Sequence, residues 1–285
     1  MKLSIITICY NEPNLEKTCK SIVGQTFQDF EWIVVDGGSN EKTQKIWDKY
    51  KYRIDKFISE PDNGIYNAMN KGIRLACGEY LNFLNAGDYY DNDRVLEDIM
   101  NYDFDSDIVS ADMKILRKSN KIKKFVSPEK VEDSFLINSS LPHSSSFIKR
   151  YLFEQYGLYN ENFKIVSDYE KWVQFIKTHE CSYKHIPVLC SVFNSVGISS
   201  QNNVLRRKER LEVIRKYFTD AEILKAEAKC YLYMNLTFGE TLFSIKNSTN
   251  GNYKFITFLG FHVKIKLKRD DNEESINNRD NRSRR

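Results

Sequence analysis

The stretch from Ser59 to Asp88 constrains the fold more than any other part of the chain. It joins a polar turn, Ser59-Glu-Pro-Asp-Asn-Gly64, to a helix-like run and then to a strand that stops at a carboxylate. Glu79 to Leu84 is aromatic and apolar enough for a buried strand, and Asn85-Ala-Gly-Asp88 supplies turn residues at its carboxyl end. In open α/β sheets, ligands bind beyond the carboxyl ends of the strands. A carboxylate delivered there faces a phosphate only with a divalent cation between them, so Asp88 is the candidate ligand for Mn²⁺ or Mg²⁺. A plain turn-capping role is its alternative.

The surrounding sequence repeats the same unit. Leu3 to Tyr10 is nearly continuous in apolar character, as a central parallel strand covered on both faces requires. Leu15, Cys19, Ile22 and Val23 recur at helical spacing, with Gly24 where a helix stops. Glu31 to Val35 predicts a second strand, Glu41 to Tyr50 a helix, Ile54 to Ser59 a third strand, Ile65 to Cys77 a helix and Arg94 to Met100 another. This alternation predicts an α/β fold with a mostly parallel central sheet and flanking helices. From Asp107 the pattern breaks into short β-like pieces, 107–110 and 113–116, and His143 to Ile148 predicts a further strand. Asp168 to Lys177 suits a helix with Asp168 in its first turn, and Tyr183 to Phe193 a returning strand. Residues 203–246 read as mainly helical, and the polar, charged run from Arg269 to Arg285 as a disordered tail.

A chain of 285 residues accommodates one large α/β domain with an appendage. The net charge of +4 comes from Lys and Arg interleaved with Asp and Glu, which argues against nucleic acid as a partner. Six cysteines without a CxxC pair indicate buried, reduced thiols rather than zinc or a redox dithiol. No stretch approaches the roughly 18 apolar residues of a membrane span, and Leu3 to Tyr10 is too short for a signal-peptide core, so a cytoplasmic location is expected. Tyr253 to Arg269 mixes aromatics with lysines and suits either peripheral contact with an anionic leaflet or packing on the catalytic domain or on another subunit.

Three segments in order, Ile5-Ile-Thr-Ile-Cys-Tyr-Asn-Glu12, Val34-Val-Asp-Gly-Gly-Ser39 and the 59–88 run, resemble the inverting family 2 glycosyltransferases with the GT-A fold. The likeness spans roughly residues 2–200 and is nearest to bacterial enzymes that assemble surface polysaccharides. It implies a nucleotide-sugar donor, with UDP expected, and a glycan or lipid-linked glycan acceptor. The sugar would be a hexose or an N-acetylhexosamine. It also implies a nucleotide-sugar-binding half at 1–110, an acceptor-binding half at 111–202 and a helical, basic C-terminal extension at 203–268.

On the donor side the resemblance implies that Asp36 holds the nucleoside, with Thr7, Tyr10, Asn11 and Glu12 from the first strand beside it. Asp62, Asn67, Asn70, Lys71 and Asn85 would complete the nucleotide-sugar site, and Asp88 would bind the metal. The family usually presents a DxD-like pair where this chain has Asn85-Ala-Gly-Asp88, so one carboxylate is missing. Asn67 stands where relatives often carry Asp. Ser167-Asp-Tyr-Glu170 resembles the family's acidic motif, which makes Asp168 the catalytic base; Glu170 rivals it on chemistry alone. Leu141-Pro-His-Ser-Ser-Ser-Phe147 resembles the acceptor-side strand and makes His143 an acceptor contact, a structural imidazole being its alternative. Gly197-Ile-Ser-Ser200 matches a loop over the donor. The missing carboxylate keeps a second expectation open, a catalytically inactive nucleotide- or glycan-binding protein on the same fold.

Overall fold

The computed structural model describes residues 2–117, 119, 121–195 and 202–233, together with the strands at 243–247, 253–258 and 261–266. The chain divides into two units, Met1–Ile223 and Leu224–Arg285.

The first unit is built on a nine-stranded sheet. Four parallel strands lie in the order β3 (Lys56–Ser59), β2 (Phe30–Asp36), β1 (Leu3–Cys9) and β4 (Tyr80–Phe83). Every residue of β1 and β2 is buried, which is why both read as mostly apolar runs rather than alternating ones. Crossover helices supply the cover: α1 (Leu15–Val23), α2 (Glu41–Tyr50) and α3 (Ile65–Leu75). Asn40 caps α2 by accepting the Thr43 N–H, and α3 starts after Gly64, whose φ of 118° only glycine adopts readily. A two-residue strand, β5 (Tyr89–Tyr90), and the short α4 (Val95–Met100) lead to the second half.

There the sheet continues past β4 through β8 (Ser146–Lys149), β6 (Ile108–Leu116) and β9 (Tyr183–Asn194) to β5, with β7 (Ile122–Phe125) paired to β6. Helices α5 (Asp133–Asn138), α6 (Tyr151–Tyr156), α7 (Ser167–Val173) and α8 (Asn203–Tyr217) surround it, and α9 (Asp220–Tyr233) follows. The second unit contains a three-stranded antiparallel sheet of β10 (Phe243–Asn247), β11 (Tyr253–Phe258) and β12 (Phe261–Lys266).

Several boundaries differ from the sequence reading. The pieces at 107–110 and 113–116 are one strand, β6, whose register against β9 slips on either side of Asp112. Opposite the slip, β9 passes Pro187 and Val188 without pairing them, and a proline cannot donate to the ladder. His143 opens a 3₁₀ turn, His143–Ser145, so the predicted strand begins only at Ser146. The helix from Asp168 loosens into a π turn at Gln174–Thr178. The C-terminal extension is not helical throughout: Phe243-Ser-Ile-Lys, Phe255-Ile-Thr-Phe and Phe261-His-Val-Lys-Ile-Lys belong to strands, and the last alternates with the period of a strand. Cys9, Cys19 and Cys190 are buried and burial pushes each thiol up to about 12, whereas Cys77 is exposed and Cys181 half-buried. Cys230, Gly197 to Ser200 and the 269–285 tail lie outside the described residues or side chains.

At the amino-terminal edge of the sheet, buried Glu31 gathers the Ser4 hydroxyl at 2.5 Å, the Cys77 and Gly78 N–H groups at 2.5 and 3.1 Å, and Lys56 at 3.0 Å. Burial pushes its carboxyl up, but those bonds outweigh burial and hold it below the usual 4.5. Its contribution to stability is therefore present above about pH 4.5 and lost as pH falls through the lower folded value. Glu31→Gln is expected to flatten that acid limb in urea titrations between pH 3 and 5, roughly the range set by such linkage. Nearby, a Cβ on Gly78 would stand 2.6 Å from Ser4 N and 2.7 Å from Leu3 C, backbone atoms that cannot give way. Gly78→Ala should cost about 1–3 kcal/mol, read from the urea midpoint.

Candidate active site

The parallel register sets Cys9 beside Asp36 and Ile6 beside Phe83, and Ala86 N–H reaches Ile8 O at 3.0 Å. The carboxyl ends of β2 and β4, and with them Asp36 and Asp88, therefore share one edge of the sheet. Asp36 is fully buried there. It accepts the Ser39 N–H at 2.9 Å, Gln44 Nε2 and Ser59 Oγ at 2.8 Å each, and Trp47 Nε1 at 3.3 Å. Burial pushes its carboxyl up, but these hydrogen bonds outweigh burial and hold it below the ordinary value.

That anchored turn positions the loops around it. Gly37 packs so closely that a Cβ would lie 2.5 Å from Asp62 Oδ2 and 3.4 Å from the Tyr10 ring. Tyr10 is 68% exposed, an aromatic face open at the rim. Asn11, at φ 53°, receives the Asn40 N–H at 2.8 Å and donates its own N–H to Ser39 Oγ at 2.9 Å. Asp62 accepts the Gly64 N–H, and Glu12 holds Asn14 and abuts Gly87. Tyr10, Asn11, Asp36 and Asp62 thus converge on one turn.

Two residues expected at the donor have structural places instead. Thr7 is in the core, its hydroxyl accepting Trp32 Nε1 at 3.0 Å, because β1 is covered on both faces. Asn70, 1% exposed, donates to Tyr159 O and Glu161 Oε1 and accepts the Tyr159 N–H, so its amide is spent inside the protein. Asn67 also reaches Glu161, at 2.9 Å, while Lys71 pairs with Glu60 at 2.7 Å and donates to Pro61 O beside Asp62. Glu161, unmarked by any motif, is the partner that both asparagines require.

A cleft of about 570 Å³ brings Tyr66, Asn85, Asp88, His143 and Asp168 together. Asp88 accepts the Asn194 N–H at 2.8 Å, and burial, with the Glu12 charge adding to it, pushes its carboxyl up to about 7. Asn85 Oδ1 is buried with no hydrogen-bond partner among the described residues. An orphaned acceptor of this kind costs about 1–3 kcal/mol and calls for a ligand. Asp88 and Asn85 offer two oxygen donors, which fits a cation that binds through one carboxylate and completes its shell with substrate phosphate. Among the described residues no cluster of three His, Cys, Asp or Glu side chains surrounds a metal position.

Across the cleft, Asp168 at the start of α7 accepts the Tyr66 hydroxyl at 2.8 Å. Glu170, two residues on, is buried against α8 and bonded to Lys216 at 2.9 Å and Tyr217 at 3.2 Å, so it is turned away. His143 stacks on Phe83 with centroids 4.8 Å apart and shares a 2.8 Å hydrogen bond with the Tyr159 hydroxyl. Burial lowers its pKa against the pull of Asp168, which favours a neutral imidazole. Arg206, Arg207 and Arg210 of α8 also line the cleft. Sequence reasoning passed over them and Tyr66; the spacing Arg206-Arg207-x-x-Arg210 was the only signal.

The sequence model of glycosyl transferase family 2 matches residues 4–167. The chain belongs to this family. An uncharacterized glycosyltransferase of Rickettsia typhi is 27% identical over 252 residues, covering 82% of this chain and 77% of its own. A glycosyltransferase of PGL/p-HBAD biosynthesis from Mycobacterium bovis is 30% identical over 67% of this chain and 75% of its own. Among solved structures, S. aureus TarS 1–349 in complex with UDP superposes with a TM-score of 0.60 at 20% identity, covering 84% of this chain and 72% of that one. The mannosyltransferase PcManGT of Pyrobaculum calidifontis, in complex with GDP-Man and Mn²⁺, gives 0.59 at 20% identity, covering 81% and 70%. The fold of this family 2 glycosyltransferase is GT-A, and no helix among the described residues is long and apolar enough to cross a membrane.

Tyr66→Phe removes the hydroxyl that Asp168 accepts. Glycosyl transfer is expected to fall roughly tenfold, the worth of one well-placed hydrogen bond, with the thermal midpoint nearly unchanged.

Proposed function

We propose that the protein transfers a hexose or N-acetylhexosamine from a nucleotide-sugar, with UDP as the nucleotide, to a glycan or lipid-linked glycan acceptor with inversion, in cell-surface polysaccharide biosynthesis. One observation carries the reading: Asp168 faces the same cleft as Asp88 and the orphaned Asn85 oxygen, at the sheet edge where Asp36 ends β2. The complexes of TarS with UDP and with UDP-GlcNAc support the choice of donor, and PGL/p-HBAD biosynthesis in the mycobacterial relatives supports the cell-surface role. The lysine-rich Tyr253 to Arg269 segment supports work in the cytoplasm at the inner face of the plasma membrane.

In this reading Tyr10, Asn11 and Asp62 receive the nucleoside on the turn that Asp36 holds, with Glu12 and Lys71 behind them. Stacking on the exposed Tyr10 ring orients the base. Asn85 and Asp88 would hold Mn²⁺ or Mg²⁺, which supplies Lewis-acid stabilisation of the departing diphosphate when bound. Asp168, held by Tyr66, takes the proton of the acceptor hydroxyl as that oxygen attacks the anomeric carbon from the face opposite the leaving group. His143, neutral and fixed by Phe83 and Tyr159, offers the acceptor a hydrogen bond without adding charge.

Asp168→Asn is expected to reduce transfer about 10²–10⁴-fold, the usual worth of a positioned base, while the thermal shift produced by UDP persists. Full transfer by that variant would remove the base assignment. Asp88→Ala should abolish the part of the UDP thermal shift that depends on Mn²⁺. A nucleotide shift with no transfer to any acceptor and no donor hydrolysis would instead favour a binding protein, the reading that the single carboxylate suggests.

A further inference from the structure

Glu161, half-buried in the loop between α6 and α7, gives each of its oxygens to a different amide of α3. Oε1 accepts Asn70 Nδ2 at 2.8 Å, and Oε2 accepts Asn67 Nδ2 at 2.9 Å. The Asn70 amide holds the carboxyl below the usual 4.5 against burial, with Asn67, Arg74 and Lys71 adding to the effect. Both oxygens are therefore acceptors at neutral pH, and hydrogen bonds to an ionised acceptor are roughly twice as strong as neutral ones. Each asparagine carries the connection further. Asn67 Oδ1 accepts the Asn63 N–H at 3.3 Å, in the loop where Asp62 accepts the Gly64 N–H at 2.9 Å. Asn70 brackets Tyr159, accepting its N–H at 2.9 Å and donating to its carbonyl at 3.0 Å.

Tyr66 is the residue that these bonds align. It stands one helical turn before Asn70, its ring tilts against that of Tyr159 with centroids 5.6 Å apart, and its hydroxyl donates to Asp168 at 2.8 Å. Asp168 leaves the same loop as Glu161, where Ser167 Oγ accepts the Asn160 N–H at 2.7 Å. The two ends of the Tyr66–Asp168 bond thus belong to two segments, α3 and 159–168, that Glu161 ties together. A pocket of about 130 Å³ remains beside the tie, lined by Tyr66, Asn67, Glu161 and Phe163 among others. Close packing does not fill this contact, so the polar bonds set the separation of the two segments.

We infer that Glu161 is a positioning residue for the transfer reaction: through Asn67 and Asn70 it sets α3 against the 159–168 segment and so delivers the Tyr66 hydroxyl to Asp168. This rests on the proposed function, in which Asp168 is the base. Glu161 does not line the cleft and acts only through the residues it holds. By way of Asn67 the same carboxylate keeps the loop of Asp62 in one frame with the base.

The test is hydrolysis of a nucleotide-sugar by the full chain with Mn²⁺, in which water stands in for the acceptor: its oxygen bonds to the anomeric carbon, the bond to the diphosphate breaks and Asp168 takes the proton. Hydrolysis of none of UDP-glucose, UDP-GlcNAc and GDP-mannose by the wild type would overturn the transfer reading and this inference with it. With the donor that is hydrolysed, Glu161→Gln is expected to lower kcat about tenfold, the worth of the hydrogen bond it aligns, while KM and the calorimetric Kd for UDP stay within about twofold. The new amide then meets that of Asn67 donor to donor. Asn67→Asp/Glu161→Gln reverses this pair, still offers acceptors to the Asn63 N–H and the Asn70 amide, and should restore kcat to within about threefold. In a Tyr66→Phe background Glu161→Gln should cost less than about twofold, because the bond it aligns is already gone. Asn67→Ala, which removes one of the two amide bonds, is read in the same way if Glu161→Gln does not fold. An unchanged kcat, a loss confined to KM or to the thermal midpoint, no recovery in the reversed pair, or additive losses with Tyr66→Phe would each overturn the inference and leave the transfer reading standing.

Discussion

The buried carboxylate of Asp36 is the constraint on which the carboxyl edge of the parallel strands depends. An ionised group without solvent is costly unless its lone pairs are satisfied, and here a backbone N–H, an amide, a hydroxyl and an indole satisfy them. Those donors come from the 37–39 turn, α2 and the end of β3, so one charge ties the end of β2 to three neighbouring segments. Trp47 is fixed in turn, edge-on to Trp32 and Phe57 at centroid separations of 6.3 and 6.1 Å. With the turn immobile, Gly37 approaches Asp62 and Tyr10 closely enough to leave an open aromatic face above it. The aspartate thus acts on this edge through the shape it imposes, its own oxygens being occupied.

The second half is organised around rings rather than charge. Phe83 from β4 supports His143 on one side and meets Phe153 and Tyr159 at 6.1 and 5.6 Å. Tyr66 and Tyr159 join α3 to the same cluster at 5.6 Å, and Asn70 and Glu161 lock the loop between them. This packing sets the rotation of α7. Its first turn then places Asp168 in the cleft, and Glu170, buried on the far side, serves as the anchor for Lys216 and Tyr217 of α8. Two acids two residues apart take opposite roles because a helix rotates about 100° per residue.

Much of the parallel block was legible from residue pattern. Runs such as Ile5 to Cys9 and Trp32 to Val35 have only one stable use, as strands covered on both faces, and their polar punctuation fell at the sheet's carboxyl edge. The break read at Asp112 was not a break, because a buried aspartate bonded to Ser127, His185 and Lys124 is accommodated where β9 bulges at Pro187. No pattern in β6 alone reveals partners that lie 12 to 73 positions downstream. The same limit applied to Thr7 and Asn70, polar residues whose partners, Trp32 and the 159–161 loop, are remote in the chain.

The chain's own order of residues determined the class of fold and which carboxylates end at the carboxyl edge of its strands, since strand burial and turn chemistry are local properties. Tertiary structure alone decided which polar groups face the cleft. Asp36, Thr7 and Asn70 are consumed by partners inside the protein, while among the described residues Asn85 Oδ1 is left without a donor and three arginines arrive from a helix more than a hundred residues beyond Asp88. The physical reason is that a side chain's availability depends on whether its hydrogen bonds and charge are already satisfied, and the groups that satisfy them are chosen by packing, not by proximity in sequence.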